Sequence, residues 1–155
     1  MTKSLSIKSL RKAASGMTLA LLAACTTAVS AAPIVIYRDA GCGCCLKWAD
    51  HAEKGMDRTI TVKDEANMRA RKTALGVPPM LASCHTAVID GYVIEGHVPA
   101  ADIKRLLETR PAGVKGIAVA GMPVGSPGME YENQTQAYQV IAFGADGQSV
   151  FTNYN

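Results

Sequence analysis

The residues of this chain best suited to chemistry are three cysteines within four positions, in Asp39-Ala40-Gly41-Cys42-Gly43-Cys44-Cys45. Thiolate sulfur is both a nucleophile and a soft metal ligand. So dense a set points to soft-metal binding or to thiol–disulfide exchange, not to packing alone. The apolar run Ile34-Val35-Ile36-Tyr37 before it reads as a strand, and Leu46 to Lys54 after it reads as a helix closed by Gly55. Gly41 and Gly43 allow the backbone a tight turn between them. The thiols are therefore expected at the first turn of a helix, where free N–H groups and the positive end of the helix dipole favour thiolate over thiol.

A fourth sulfur outside the leader, Cys84, stands forty residues on, and a fifth, Cys25, near the N-terminus. Two structural disulfides among Cys42, Cys44, Cys45 and Cys84 are the duller reading. The spacing argues against it. Adjacent Cα atoms are about 3.8 Å apart, below the roughly 4.4–6.8 Å a disulfide spans, so Cys44–Cys45 would be strained. Cys42–Cys45 is a C-x-x-C pair that closes easily, but so short a loop removes little entropy from the unfolded chain.

The elements that must position these sulfurs can be read in order. Arg58 to Lys63 is β-branched at alternate positions and reads as a second strand. Asp64 is placed to cap a helix from Glu65 to Leu75, with Gly76 past its end. Strands at Thr86–Ile89 and Tyr92–Glu95 flank Asp90-Gly91, a strong hairpin signal. Pro99 suits the first turn of a last helix, Ala100 to Thr109, in which Ile103, Leu106 and Leu107 form an apolar stripe. Gly113 to Glu130, rich in glycine and proline, reads as a loop too apolar to be a disordered tail, so it must lie against something. A second hairpin, with strands near Tyr138–Phe143 and Ser149–Thr152 about Asp146-Gly147, ends the chain.

The order strand–helix–strand–helix–hairpin–helix resembles the thioredoxin fold, an α/β arrangement in which the thiol turn takes the place of the active-site C-x-x-C. A right-handed crossover makes the first two strands parallel. In that fold the residues opening the hairpin face the C-x-x-C turn. Counting back from Asp90-Gly91 puts Cys84-His85-Thr86 there, with Val77-Pro78 a rival for the fold's cis-proline position.

The 155 residues suffice for one domain with a real core. Residues 1–31 read as an export signal, with Lys3, Lys8, Arg11 and Lys12 ahead of the apolar Ala13–Ala24, which is too short to span a bilayer. Cleavage after Val29-Ser30-Ala31 would release a soluble chain, whereas Leu22-Ala23-Ala24-Cys25 resembles a lipobox, with a leader ending at residue 24 and a lipid on Cys25. Either exit places the domain in a Gram-negative periplasm. Loss of four positive charges moves the formal net charge from +3 to −1. No basic stripe remains to follow a phosphate backbone, which argues against nucleic acid, and no other apolar run is long enough to cross a membrane.

Tyr37-Arg38-Asp39 leading into Cys42-Gly43-Cys44-Cys45, Ser83-Cys84-His85-Thr86, Gly91 to Ala100, and Gly121-Met122-Pro123-Val124-Gly125-Ser126-Pro127-Gly128-Met129-Glu130 together resemble the small periplasmic copper-resistance proteins of the CopG type. The resemblance covers nearly all of the mature chain. It implies a thioredoxin-like domain over residues 32–111, a C-terminal extension over 112–155 packing on the metal site, copper bound at the C-x-C-C motif, and a redox role.

The donor chemistry agrees, since thiolate and thioether select Cu(I). Consecutive Cys44 and Cys45 diverge from one stretch of backbone, which suits sulfurs bridging several copper ions better than one tetrahedral ion. A structural Cys₃His zinc site competes, but the second half of its spacing is missing. The candidate ligands are Cys42, Cys44, Cys45, Cys84, Met122, Met129 and His97. For both methionines the alternative is core filling, and for His97 a hydrogen bond at the helix start. His85 is expected to point away from Cys84 by strand alternation, His51 to face solvent, and Trp48 to shield the site or pack in the core. The leading function is a monomeric copper-binding protein, able to cycle Cu(I) and Cu(II), that receives or yields copper through a periplasmic chaperone or efflux system. The alternative is a thiol–disulfide oxidoreductase in which Cys42 attacks and Cys45 resolves. Cys44, an intrusive third thiol, and the absence of the usual proline-bearing motif argue against that alternative.

Overall fold

The computed structural model describes residues 34–155, so the segment read as an export signal and Cys25 lie outside the described residues. Its elements are β1 (Ile34–Arg38), α1 (Gly43–Met56), β2 (Ile60–Asp64), α2 (Met68–Leu75), β3 (His85–Ile89), β4 (Tyr92–Glu95), α3 (Ala100–Thr109), β5 (Val114–Ala118), β6 (Tyr138–Gly144) and β7 (Gly147–Tyr154), with a single 3₁₀ turn at Pro79–Leu81. All strands join one sheet in the order β2-β1-β3-β4-β5-β6-β7. β1 runs parallel to β2 and antiparallel to β3, and β3 runs antiparallel to β4. Those four strands with α1, α2 and α3 form the thioredoxin-like unit.

Strand alternation builds a core on each face of the sheet. Ile34, Ile36, Ala87, Ile89, Ile94 and Ile117 pack beneath Trp48 and Ala52 of α1 and Ile103 and Leu106 of α3. Val93, Ala118 and Phe143 face the other way, with Val77 and Leu81 from the segment after α2. Adjacent residues of β4 and β5 thus serve opposite cores, as expected of strands covered on both sides. The Asp90-Gly91 turn has positive φ at both residues (48° and 88°), the two-residue geometry whose twist matches the flanking strands.

Several boundaries differ from the sequence reading, each for a local reason. α1 starts at Gly43, three residues earlier than expected, and runs through Gly55 to a left-handed cap at Asp57. Gly55 serves packing instead of termination, because a Cβ there would strike the Ala100 Cβ of α3. Asp64 is the last residue of β2 and pairs with Arg38 (Nη2 to Oδ1, 3.0 Å), while Asn67 caps α2 by accepting from the Ala70 N–H. The opening of the apolar loop is a strand: β5 pairs parallel with β4 and antiparallel with β6. The extension therefore continues the sheet, and its β7 is tied to α3 where buried Asp102 accepts from Tyr154 Oη (2.6 Å) and Thr152 Oγ1 (2.5 Å).

Candidate metal centre

The thiol turn is shaped by Arg38. Its guanidinium, at the end of β1, donates to the carbonyls of Asp39, Ala40 and Cys42, the last two at 3.0 Å. A single side chain thereby gathers three carbonyls of a loop that offers no hydroxyl or carboxylate cap of its own. Arg38 is a site-shaping residue that a search for ligand types passes over; its only sequence signal is its place one residue before Asp39.

Cys42 is the N-cap of α1, and Cys44 and Cys45 fall in the first helical turn. Cys42 and Cys45 are joined in a disulfide, with Cα atoms 5.4 Å apart. Cys44 and Cys84 are free thiols, both half-buried. Cys84 Sγ lies 3.5 Å from Cys45 Sγ and 3.8 Å from Cys44 Sγ, and Cys42 and Cys44 are 3.5 Å apart. All four sulfurs sit within 4.8 Å of one another. The loop opening β3 thus meets the mouth of α1. Among the described residues no peptide bond is cis, and it is Ser83-Cys84, not Val77-Pro78, that faces the thiol turn.

Two imidazoles complete the cluster. His97 is fully buried, its Nδ1 2.8 Å from the Pro127 carbonyl and its Nε2 3.1 Å from Cys84 Sγ. A carbonyl only accepts, so Nδ1 carries the proton and the Nε2 lone pair faces Cys84. A ring whose far nitrogen donates to a backbone carbonyl is the usual arrangement of a metal-binding histidine. Burial holds its pKa below the ordinary value, against the opposing effects of the Pro127 carbonyl and Glu130.

His85 departs from expectation: its Nδ1 is 3.3 Å from Cys84 Sγ, and its ring packs against Trp48 (centroids 4.5 Å) and edge-on to His97 (5.0 Å). Alternation does hold within β3, where His85 shares the α1 face with Ala87 and Ile89. Cys84 precedes the strand, so its sulfur is free of the pleat and reaches the same side. Burial, with His97 and Lys72 adding to it, drives the His85 pKa well below its ordinary value. Among the described residues its Nε2 has no hydrogen-bond partner. Burial pushes the Cys84 thiol up to about 12, with Cys44 contributing. A soft metal bound there would have to displace the proton of that sulfur.

The extension closes over this mouth. Gly128 (φ +82°) lies so close to α1 that a Cβ would come within 2.7 Å of Trp48 N and 2.8 Å of the Cys44 carbonyl. Glu130 Oε1 accepts from the Gly128 N–H at 2.9 Å. Met129, next in the chain, is half-buried, whereas Met122 is 51% exposed. Trp48 is buried, its Nε1 donating to the Val98 carbonyl at 2.8 Å. His51 does not simply face solvent: its Nε2 accepts from the Ala100 N–H at 3.1 Å and supplies the cap that Pro99 cannot give α3. Two free thiols and an imidazole lone pair stand beside the Cys42–Cys45 disulfide; with that bond reduced, four cysteine sulfurs and the imidazole would make a donor set that fits copper.

Residues 81–129 match the family described as "Protein of unknown function, DUF411". No curated protein matches the chain. Among solved structures, "Copper resistance protein copG- Form 2" is 50% identical, covers 79% of this chain and 98% of its own, and superposes with a TM-score of 0.75. "Copper resistance protein copG- Form 1" is 49% identical over 81% of this chain and 98% of its own, also with a TM-score of 0.75. The chain belongs to the family of the copper resistance protein CopG.

Proposed function

We propose that this chain is a periplasmic copper-binding protein that contributes to copper resistance by holding Cu(I) on Cys42, Cys44, Cys45 and Cys84, with His97 and the methionines of the extension as further ligands. The observation that carries the reading is the meeting of four sulfurs from two distant segments within 4.8 Å. Spacings of 3.5–3.8 Å between neighbouring sulfurs suit thiolates that share ions, so the site is read as polynuclear. A set of closely held coppers under bridging thiolate is also suited to passing between Cu(I) and Cu(II), which makes an oxidoreductase acting on metal the finer form of the proposal. In the family relatives only the names speak of copper resistance; the assignment of copper to this chain rests on its own donors. Among the described residues no helix is long and apolar enough to cross a membrane.

The Cys42–Cys45 disulfide favours a second reading, thiol–disulfide exchange with Cys42 attacking and Cys45 resolving. It also bears on the first. Full sulfur loading requires that bond to be opened, a two-electron reduction of the kind a dithiol supplies.

One experiment separates the readings. The mature domain is reduced anaerobically, titrated with Cu(I), and assayed in parallel for insulin reduction. Several coppers per chain without insulin reduction supports copper binding. No retained copper with sustained insulin reduction sinks it in favour of disulfide exchange. Copper X-ray absorption on the loaded protein reads the ligand set and the metal–metal separation directly.

A further inference from the structure

Glu95 is a fully buried carboxylate at the end of β4, and its hydrogen bonds reach the chain on both sides of Cys84. Oε1 accepts from the Ser83 N–H at 2.6 Å and from Lys72 Nζ of α2 at 2.6 Å. Oε2 accepts from Thr86 Oγ1 at 2.6 Å, and the same hydroxyl oxygen accepts from Lys72 Nζ at 3.0 Å. The carboxylate thus grips the chain one residue before Cys84 and two residues after it. Its own backbone carbonyl accepts from Val119 N at 3.0 Å, and the next residue, Gly96, donates to the His85 carbonyl at 3.0 Å. Gly96 (φ +71°) presses on Ser83 and Val119 so tightly that a Cβ would meet the Ser83 Cβ at 2.5 Å and the Val119 carbonyl at 2.6 Å. His97 follows directly. Ser83 Oγ in turn donates to the Gly121 carbonyl of the extension.

We propose that Glu95, held by Lys72, is a positioning residue for the metal centre: it fixes the Cys84 sulfur against His97 Nε2 and against the sulfurs of α1. The proposal rests on the copper reading above for its functional consequence. Stability alone is a poor reason for such a pair, because a buried ion pair exchanged for well-packed apolar side chains is often neutral or stabilising. Geometry gives a better one. Cys84 lies outside β3, where no ladder hydrogen bond sets its direction, and a carboxylate with two oxygens can anchor both flanks of such a loop at once. The charge needs a partner, and Lys72 supplies it from the face opposite α1.

The test exchanges the pair together, Lys72→Met with Glu95→Leu, so that no lone charge is left buried. Two readouts are taken. The first is Cu(I) affinity of the reduced protein by competition with a chromophoric chelator, expected to fall about 10- to 100-fold, the range for loss of an outer-shell partner. The second needs no metal: with Cys42–Cys45 closed, the two free thiols are alkylated with iodoacetamide and mapped by peptide mass. Cys84 is expected to react faster than in the parent while Cys44 is unchanged. An unchanged Cys84 rate overturns the proposal, whatever happens to copper affinity. Should the double variant fail to fold, Thr86→Val removes one donor to the carboxylate and is expected to move both readouts in the same directions by less; no movement of Cys84 overturns the proposal equally. A parent protein that binds no Cu(I) sinks the copper reading and leaves the alkylation to decide the clamp.

Discussion

His97 Nε2 stands 3.1 Å from Cys84 Sγ, while Nδ1 of the same ring is anchored to the Pro127 carbonyl at 2.8 Å. The extension thereby sets the tautomer of an imidazole in the thioredoxin-like unit, and the lone pair left over faces the sulfur that joins the two halves of the cluster.

His97→Phe keeps the buried ring and removes the lone pair. Cu(I) affinity is expected to fall at least about tenfold, as for loss of a group that holds or orients a metal. The Cys42–Cys45 pair should still close. A chelator competition titration decides the point, and parent-like affinity would remove His97 from the ligand set.

Cys44→Ser tests whether the central sulfur is shared. Copper per chain should drop sharply by elemental analysis, because Cys44 neighbours both Cys42 and Cys84. Peptide mass mapping should still find the Cys42–Cys45 disulfide. Full loading in this variant would refute a shared sulfur site.

Gly128→Ala probes the cover. Its positive φ and its 2.7–2.8 Å approach to the backbone of α1 leave no room for a Cβ. A strained φ of this kind costs on the order of 1–3 kcal/mol, and displacement of the loop also removes the Pro127 carbonyl from His97. Thermal unfolding and Cu(I) affinity should both fall. A variant as stable and as tight-binding as the parent would mean that the loop does not cover the site.

The pH dependence of stability has a defined sign. Burial lowers the His51 pKa below 6.5, opposed by Glu130 and Asp50, and its neutral Nε2 accepts from the Ala100 N–H. On acidification the unfolded chain therefore takes up the proton first. The contribution is fully present above the unfolded pKa and is lost as pH falls from there through the folded value. His51→Gln is expected to keep an acceptor for Ala100 without titrating, so its urea midpoint should decline less than the parent's between about pH 7 and pH 5. Parallel curves for the two proteins would show that His51 contributes nothing to acid sensitivity. His85 and His97, whose pKa values are also lowered, leave a residual slope of the same sign in both.

Local sequence determined the features whose causes are local. The Asp90-Gly91 hairpin, α3 with its Ile103 and Leu106 stripe, the strand before the thiol turn and the helix after it all follow from turn chemistry and periodicity within a few residues. The C-x-C-C spacing by itself marked the place of the chemistry. Tertiary structure decided the rest. Val114–Ala118 is β-forming only because β4 and β6 offer partners on both sides, so its glycine and small residues read as loop in isolation. His85 turns toward Cys84 because the cysteine escapes the pleat that constrains the histidine, a distinction of one residue that alternation cannot see. Which sulfurs Cys84 meets, which nitrogen of His97 is free, and why a carboxylate is buried at Glu95 depend on groups brought from distant positions. Such meetings are fixed by the packing of α1, β3 and the extension around one point, and no spacing along the chain encodes them.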